Sequence, residues 1–375
     1  MKIILLSGAL KNSGDFLITE RTYKLLKYVY PDAEIVTLIG NYPLDEKLDE
    51  INSSDVMVIA GGPSYTKKLY PRDIPLVRDL SLIKPKIYIL GSGWYGNLNT
   101  DKEIWGYRFE ESSKQLLRRV EKDSGLLGCR DFYAIRVLKA NGFNSGYMTG
   151  CPAWYDIPSV SKRHSDSGKN GIKKIMVSDP ADIRAFGKQS LEIVRLLRRK
   201  YPKAKIEYIF HRGIQCDEFT SKATAKVTAS LISELERMKI TYHDIAYGCE
   251  GFHLYDDCDL HIGHRVHAHI YNMSIRNRSV LLEEDSRGAG VNEALCLWGI
   301  KAYDFKVSSN ASIILKGINK IYSLTKPNRN ILKAVETYID YIELNGEELF
   351  NISYDIMEKY FKKMISFIEK MEKAK

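Results

Sequence analysis

Twice along this chain, short apolar runs alternate with amphipathic stretches, and glycines close several of the runs. In the first half, "KIILL", "AEIVTLI", "DVMVIAGGP" and "KIYILGSGW" read as strands. "NSGDFLITERTYKLLKYVY" reads as a loop running into a helix. A β–α–β rhythm with glycine after the strand specifies a parallel sheet covered by helices. Such sheets bind ligands beyond the carboxyl ends of their strands. The glycine turns at Gly8, Gly61, Gly62, Gly91 and Gly93 would therefore face a site, but none forms a dinucleotide fingerprint or a P-loop, and any one of them reads more readily as a structural turn residue.

The rhythm breaks at "SKRHSDSGKNGIKK", residues 161–174, a polar stretch that reads as a linker or exposed loop. It then restarts with the strand "KIMVSD", the helix "SLEIVRLLRRKY" and the strand "KIEYIFHRG". The helix "KATAKVTASLISELERMK", the strand "DLHIGHR", the helix "AHIYNMSIRN" and the strand "SVLLEED" follow. The expected fold class is α/β, with two Rossmann-like domains facing a cleft. Residues 1–160 are expected to form the first domain and 175–325 the second. Residues 326–375 space their apolar positions at three and four, which predicts a terminal helix pair packing across the junction.

The formal charge of +9 and pI near 9.0 favour anionic partners such as phosphorylated small molecules or anionic lipid. The basic cluster "RLLRRKYPKAK" reads as a solvated helix end, since no nucleic-acid recognition motif accompanies it. The six cysteines show no C-x-x-C spacing and read as reduced thiols. "MKIILLSGAL" is too short an apolar run for a signal peptide, and nothing approaches a membrane span. The expected location is cytoplasmic, with peripheral contact at the inner membrane face left open, as is the oligomeric state.

Five of the eight histidines lie between His253 and His269, around Arg265 in "HIGHRVHAHIYN". The strand is expected to end at Gly263 and a helix to start near Arg265. Free N–H groups and a positive dipole end make that first turn a place for phosphate or carboxylate. Arg265 there can fork two anion oxygens, and His267 can act as acid or base. His269, four residues after Arg265, backs it up on this reading. A metal site using His261, His264 and His267 with nearby aspartates is weighed against this, but H-E-x-x-H spacing is missing. Burial or surface hydrogen bonding is the favoured reading of His253, His261 and His264. The next strand delivers Glu283, Glu284, Asp285 and Arg287 to the same edge, either as ligands for a sugar hydroxyl and a phosphate or as a local ion pair.

These residues resemble the polysaccharide pyruvyl transferase family. "NSGDFLITE" is similar to its N-x-G-D motif, here Asn12 to Asp15; "GLLGCRDFYAIRVLKANGF" resembles its R-D segment, here Arg130 and Asp131. "TGCPAW" looks like the segment closing its first domain, and "HRVHAHI" resembles its R-x-H motif, on Arg265 and His267. The resemblance implies a glycosyltransferase-B-like fold. It also implies transfer of the enolpyruvyl unit of phosphoenolpyruvate onto two hydroxyls of one sugar, in a polysaccharide or a lipid-linked precursor. Arg265 would hold the donor, His267 would move protons, and no cofactor or metal would be needed. Asn12 and Asp15 would orient the acceptor from the opposite domain, with Gly62, Asp285, Arg287 and His269 as further substrate contacts. Two departures concern the phosphate ligands: "AGGP" lacks a third glycine, and Arg287 stands where relatives place a lysine. A nucleotide-sugar glycosyltransferase of the same architecture and a non-catalytic sugar- or phosphate-binding relative are the competing readings.

Overall fold

A computed structural model describes residues 1–163 and 171–371. Half of the expected 161–174 linker, residues 164–170, lies outside the described residues. The chain divides into two compact units, Met1–Leu10 with Asp15–Val160 and the end from Ile356, and Lys11–Gly14 with Ser161–Asp355. Two short pieces thus depart from a simple division near residue 160: the segment entering the first helix, and the final helical turns.

In chain order the first stretch contains β1 (Lys2–Ser7), α1 (Ser13–Val29), β2 (Glu34–Ile39), α2 (Leu48–Asn52), β3 (Val56–Ile59) and β4 (Gly62–Tyr65). β5 (Lys86–Ile89), β6 (Ser92–Trp94), α3 (Asp101–Trp105), α4 (Glu111–Ser124), β7 (Leu127–Cys129), α5 (Phe132–Ala140) and β8 (Gly146–Met148) follow. The strands form two four-stranded parallel sheets, ordered β2-β1-β3-β5 and β4-β6-β7-β8. Ile3 to Leu6 and Val56 to Ile59 are buried throughout, as continuous apolar strands covered on both faces must be.

The runs "DVMVIAGGP" and "KIYILGSGW" were each expected to be one strand; each is split at its glycines into two strands that enter different sheets. Gly91 shows why. It has φ +57°, and a β-carbon there would lie 2.3 Å from the Gly150 carbonyl oxygen. Gly61 and Gly91 both pack against Pro152, and Gly93 packs against the Arg130 guanidinium. These three glycines serve close backbone packing, the structural reading the sequence favoured for any one of them.

The second stretch contains β9 (Lys174–Ser178), α6 (Ile183–Lys200), β10 (Lys205–Phe210), α7 (Lys222–Arg237), β11 (Thr241–Asp244), β12 (Leu260–Gly263) and α8 (Val266–Ser274). It continues through β13 (Arg278–Glu283), α9 (Ser286–Ala294), β14 (Ile300–Lys301), β15 (Tyr303–Phe305), α10 (Ile313–Tyr322), β16 (Lys326–Pro327) and α11 (Ile331–Glu369). Six strands form a parallel sheet ordered β11-β10-β9-β12-β13-β14. Asp182 and Ser221 cap α6 and α7 by accepting the N–H of Ala185 and Thr224. The cluster at 195–205 is the end of α6 and the turn after it, with Arg195 ion-paired to Glu192 and Glu234.

Where a terminal helix pair was expected, one 39-residue helix runs. Its first part belongs with the second unit: Ser353 Oγ donates to the Leu295 carbonyl at 2.7 Å, and Tyr341 packs on Trp298. Its last part belongs with the first unit, where Phe367 meets Tyr88 and Tyr147 and the Ile368 carbonyl accepts from Tyr30. Among the described residues no helix is long and apolar enough to cross a membrane.

Candidate active site

Within the second unit, four neighbouring strands end at one edge. β10 leads to His211, β9 to Asp179, β12 to His264 and Arg265, and β13 to Glu284. Arg265 is the residue that precedes α8, with an extended backbone. Its side chain turns back onto Asp179. Nε donates to Asp179 Oδ1 at 2.7 Å and Nη2 to Asp179 Oδ2 at 2.6 Å. Nη2 also reaches the Pro180 carbonyl at 3.3 Å. The reason is electrostatic: Arg265 is only 8% exposed, and a guanidinium that deep needs a fixed counter-charge. Burial works against its charge, and Asp179 outweighs burial, raising its pKa above the ordinary value.

Nη1 of Arg265 makes no hydrogen bond among the described residues. Arg265 borders a cavity of about 170 Å³, shared with Asp179, Arg212, Thr220, Ser221 and Thr224. The starts of α6 and α7 also lie around it. Guanidinium, hydroxyls and two helix beginnings are groups that can hold an anion.

His267 lies in the first turn of α8 and is half-buried. Its neighbour is Gly14: a β-carbon at that position would lie 2.2 Å from His267 Nδ1. The segment Lys11–Gly14 is tied down throughout. The Lys11 ammonium is buried, ion-paired with Asp217 and donating to Thr220 Oγ1 at 2.7 Å. The Lys11 carbonyl accepts from Tyr247 N at 2.8 Å. Ser13 N donates to the His211 carbonyl at 3.0 Å, and Ser13 Oγ is hydrogen-bonded to His211 Nδ1 at 2.7 Å. Asn12, expected on the opposite domain, thus belongs with the unit that carries Arg265 and His267.

His211 was not singled out in the sequence. Its Nε2 is paired with Tyr255 Oη at 2.9 Å, and its N–H donates to Asp179 Oδ1 at 3.1 Å. Burial drives its pKa well below the usual value, with the charges of Arg265, His261 and His267 adding to the effect. The available signal was a histidine at a strand end, "IFHRG", overshadowed by the histidine-rich stretch downstream.

Most of that stretch is internal scaffolding. Ser279 Oγ bridges His261 Nδ1 and His269 Nδ1, each at 2.7 Å. His261 Nε2 pairs with Ser178 Oγ at 2.9 Å, and Ser178 Oγ accepts from Arg265 N at 3.3 Å. His264 stacks on Phe186 and pairs with Gln189 at 3.1 Å. Burial lowers His264 and His269 to about 3 and depresses His261 strongly, so these rings are neutral. His269 therefore props the sheet from inside; its ring does not back Arg265. His253 is exposed. Among the described residues, no cluster of three or more His, Cys, Asp or Glu forms a metal site.

Asp285 and Arg287, expected as substrate ligands, form a local pair. Asp285 caps α9, accepting Arg287 N at 2.9 Å, and its carboxylate takes the Arg287 guanidinium at 3.0 and 2.6 Å. Asp15 and Gly62 lie in the first unit, in the first turn of α1 and at the start of β4. Arg130 and Asp131 are buried there and bonded to each other at 3.2 Å, with Asp131 capping α5.

A family model for polysaccharide pyruvyl transferase matches residues 12–271. The chain belongs to that family. The match begins at Asn12 and ends in α8, so it contains both segments that meet at Gly14 and His267. Among curated proteins, no relative matches. Of solved structures, a UDP-GlcNAc 2-epimerase from Neisseria meningitidis bound to UDP-GlcNAc is similar at 12% identity and TM-score 0.51, covering 98% of this chain and 99% of that one. A putative UDP-N-acetylglucosamine 2-epimerase from Listeria monocytogenes is similar at 11% identity and TM-score 0.50, covering 96% and 90%. At that identity the likeness speaks for fold alone, which is of the glycosyltransferase-B type with parallel sheets and a C-terminal helix.

Proposed function

We propose that this family member transfers the enolpyruvyl unit of phosphoenolpyruvate to two hydroxyls of one sugar, forming a cyclic ketal and releasing phosphate. The observation that carries this reading is Arg265. It is clamped by Asp179, leaves Nη1 without a hydrogen-bond partner among the described residues, and borders a cavity of about 170 Å³ that is also lined by Arg212 and four hydroxyl side chains. Such a space takes on the order of half a dozen waters, the scale of a small phosphorylated acid.

The chemistry needs three events. A proton adds to the donor's methylene carbon, making it a methyl. A sugar hydroxyl oxygen bonds to the neighbouring carbon as that carbon's bond to phosphate oxygen breaks. A second hydroxyl then closes the ring at the same carbon. The two hydroxyls release two protons; one equals the proton gained by the methyl carbon, the other leaves on phosphate. Arg265 Nη1 and the helix starts of α6 and α7 around the cavity stabilise charge growing on the departing phosphate. His267, in the same first turn, moves the proton between hydroxyl and carbon. Asn12 enters on the segment that carries Gly14 and is offered to the acceptor hydroxyls.

The test is phosphate release from phosphoenolpyruvate across a panel of hexose acceptors, with product mass confirming the ketal. Release that depends on acceptor supports the reading. Consumption of a labelled sugar nucleotide in its place would replace it with glycosyl transfer.

A further inference from the structure

We infer that α10 docks the protein on an anionic lipid surface. None of its side chains is buried. Ile313 is 88% exposed, Ile314 74%, Ile321 67% and Tyr322 75%, with Leu315 and Ile318 also exposed. Scattered single apolar residues need no explanation, but six on one ten-residue helix do. At about 100° per residue, Ile314, Leu315, Ile318, Ile321 and Tyr322 share one face, and Lys316 and Lys320 sit opposite.

Charge selects the occupant. From Phe305 to Val335 the chain carries Lys306, Lys316, Lys320, Lys326, Arg329 and Lys333 and no acidic residue. Lys306 donates to the Glu284 carbonyl and Arg329 pairs with Asp304; the other four are exposed. A second copy of this chain would bring two such basic segments together without counter-charge. A bilayer surface offers both chemistries at the right spacing. An interfacial helix sinks its apolar face about 5–10 Å below the headgroups, and a helix is about 10–12 Å across with side chains. Lysines on the opposite face then stand at the level of the phosphates.

The test uses the full chain and flotation with two vesicle types, phosphatidylcholine alone and an equimolar mixture with phosphatidylglycerol. Wild type is expected to float with the mixed vesicles, about tenfold more weakly with neutral ones, and to be released by salt. The double variant Ile314→Asp/Ile318→Asp is expected to lose flotation. Lys316→Glu/Lys320→Glu is expected to weaken it while keeping the circular dichroism spectrum and wild-type phosphate release with a soluble acceptor. No flotation of wild type with either vesicle type overturns the inference. So does flotation that survives Ile314→Asp/Ile318→Asp, or light scattering that shows a dimer dissociated by Ile318→Asp, since a second copy would then cover the face. Phosphate release is read separately, so failure here leaves the assigned transfer untouched.

Discussion

Gly14 and His267 are fitted to each other: a β-carbon at residue 14 would lie 2.2 Å from the imidazole Nδ1. Two segments some 250 residues apart in sequence thus meet at the ring assigned to proton transfer. Neither could be placed against the other from local pattern, because the contact belongs to the loop's crossing into the second unit.

The variant Gly14→Ala must push that ring aside. Alanine in the first turn of a helix costs nothing by itself and even favours the helix. We expect kcat for phosphate release to fall about a hundredfold, as misplacement of a reacting group by an ångström does. The thermal midpoint should barely move. Wild-type kcat in this variant would show that the ring can relocate without consequence.

Removing the imidazole outright is the sharper test of its role. His267→Ala should abolish ketal formation with the fold intact, a loss of at least about 10²-fold. Circular dichroism and product mass check the two halves of that statement. Near-normal turnover would remove His267 from the chemistry.

Asp179 is expected to matter for stability as well as activity. Asp179→Ala leaves the Arg265 guanidinium buried without its partner, at a cost of about 3–5 kcal/mol. Urea unfolding measures it. In the double variant Asp179→Ala/Arg265→Met the charge is gone, so the combined loss should be smaller than the sum of the single losses. Additive losses would mean that the pair is not coupled as its geometry indicates.

Acid should loosen this protein early. His211, His261, His264 and His269 are buried with pKa values pushed down, the last two to about 3. The unfolded chain binds protons on them near pH 6.5 and the folded chain does not. Their contribution is therefore full above about pH 6.5 and is lost as pH falls toward 3, by up to about 1.4 kcal/mol per pH unit for each ring. Glu284 acts oppositely: burial raises it to about 7, so it favours the fold at low pH and loses that effect as pH rises from about 4.5 to 7. Glu283, also raised by burial, acts in the same direction as Glu284, and four imidazoles outweigh two carboxyls. Denaturant midpoints should fall between pH 7 and pH 5, and a flat or rising profile would contradict the neutral histidine scaffold.

Local pattern was enough for the α/β class, for β1 and α1, for the run β9, α6, β10, α7, β12, α8 and β13, and for the helix start at Arg265 and His267, because strand and helix periods are written residue by residue; it did not show α4 and read the single helix α11 as a pair. Tertiary structure alone decided what each polar group does. Arg265 turned to Asp179 because a buried cation requires an anion, and His261 and His269 became neutral props because Ser279 stood between them. Lys11–Gly14 joined the second unit because a buried ammonium found Asp217 and Thr220 more than 200 residues downstream. Partners so distant in sequence leave no trace in spacing, since burial and pairing are properties of the assembled core.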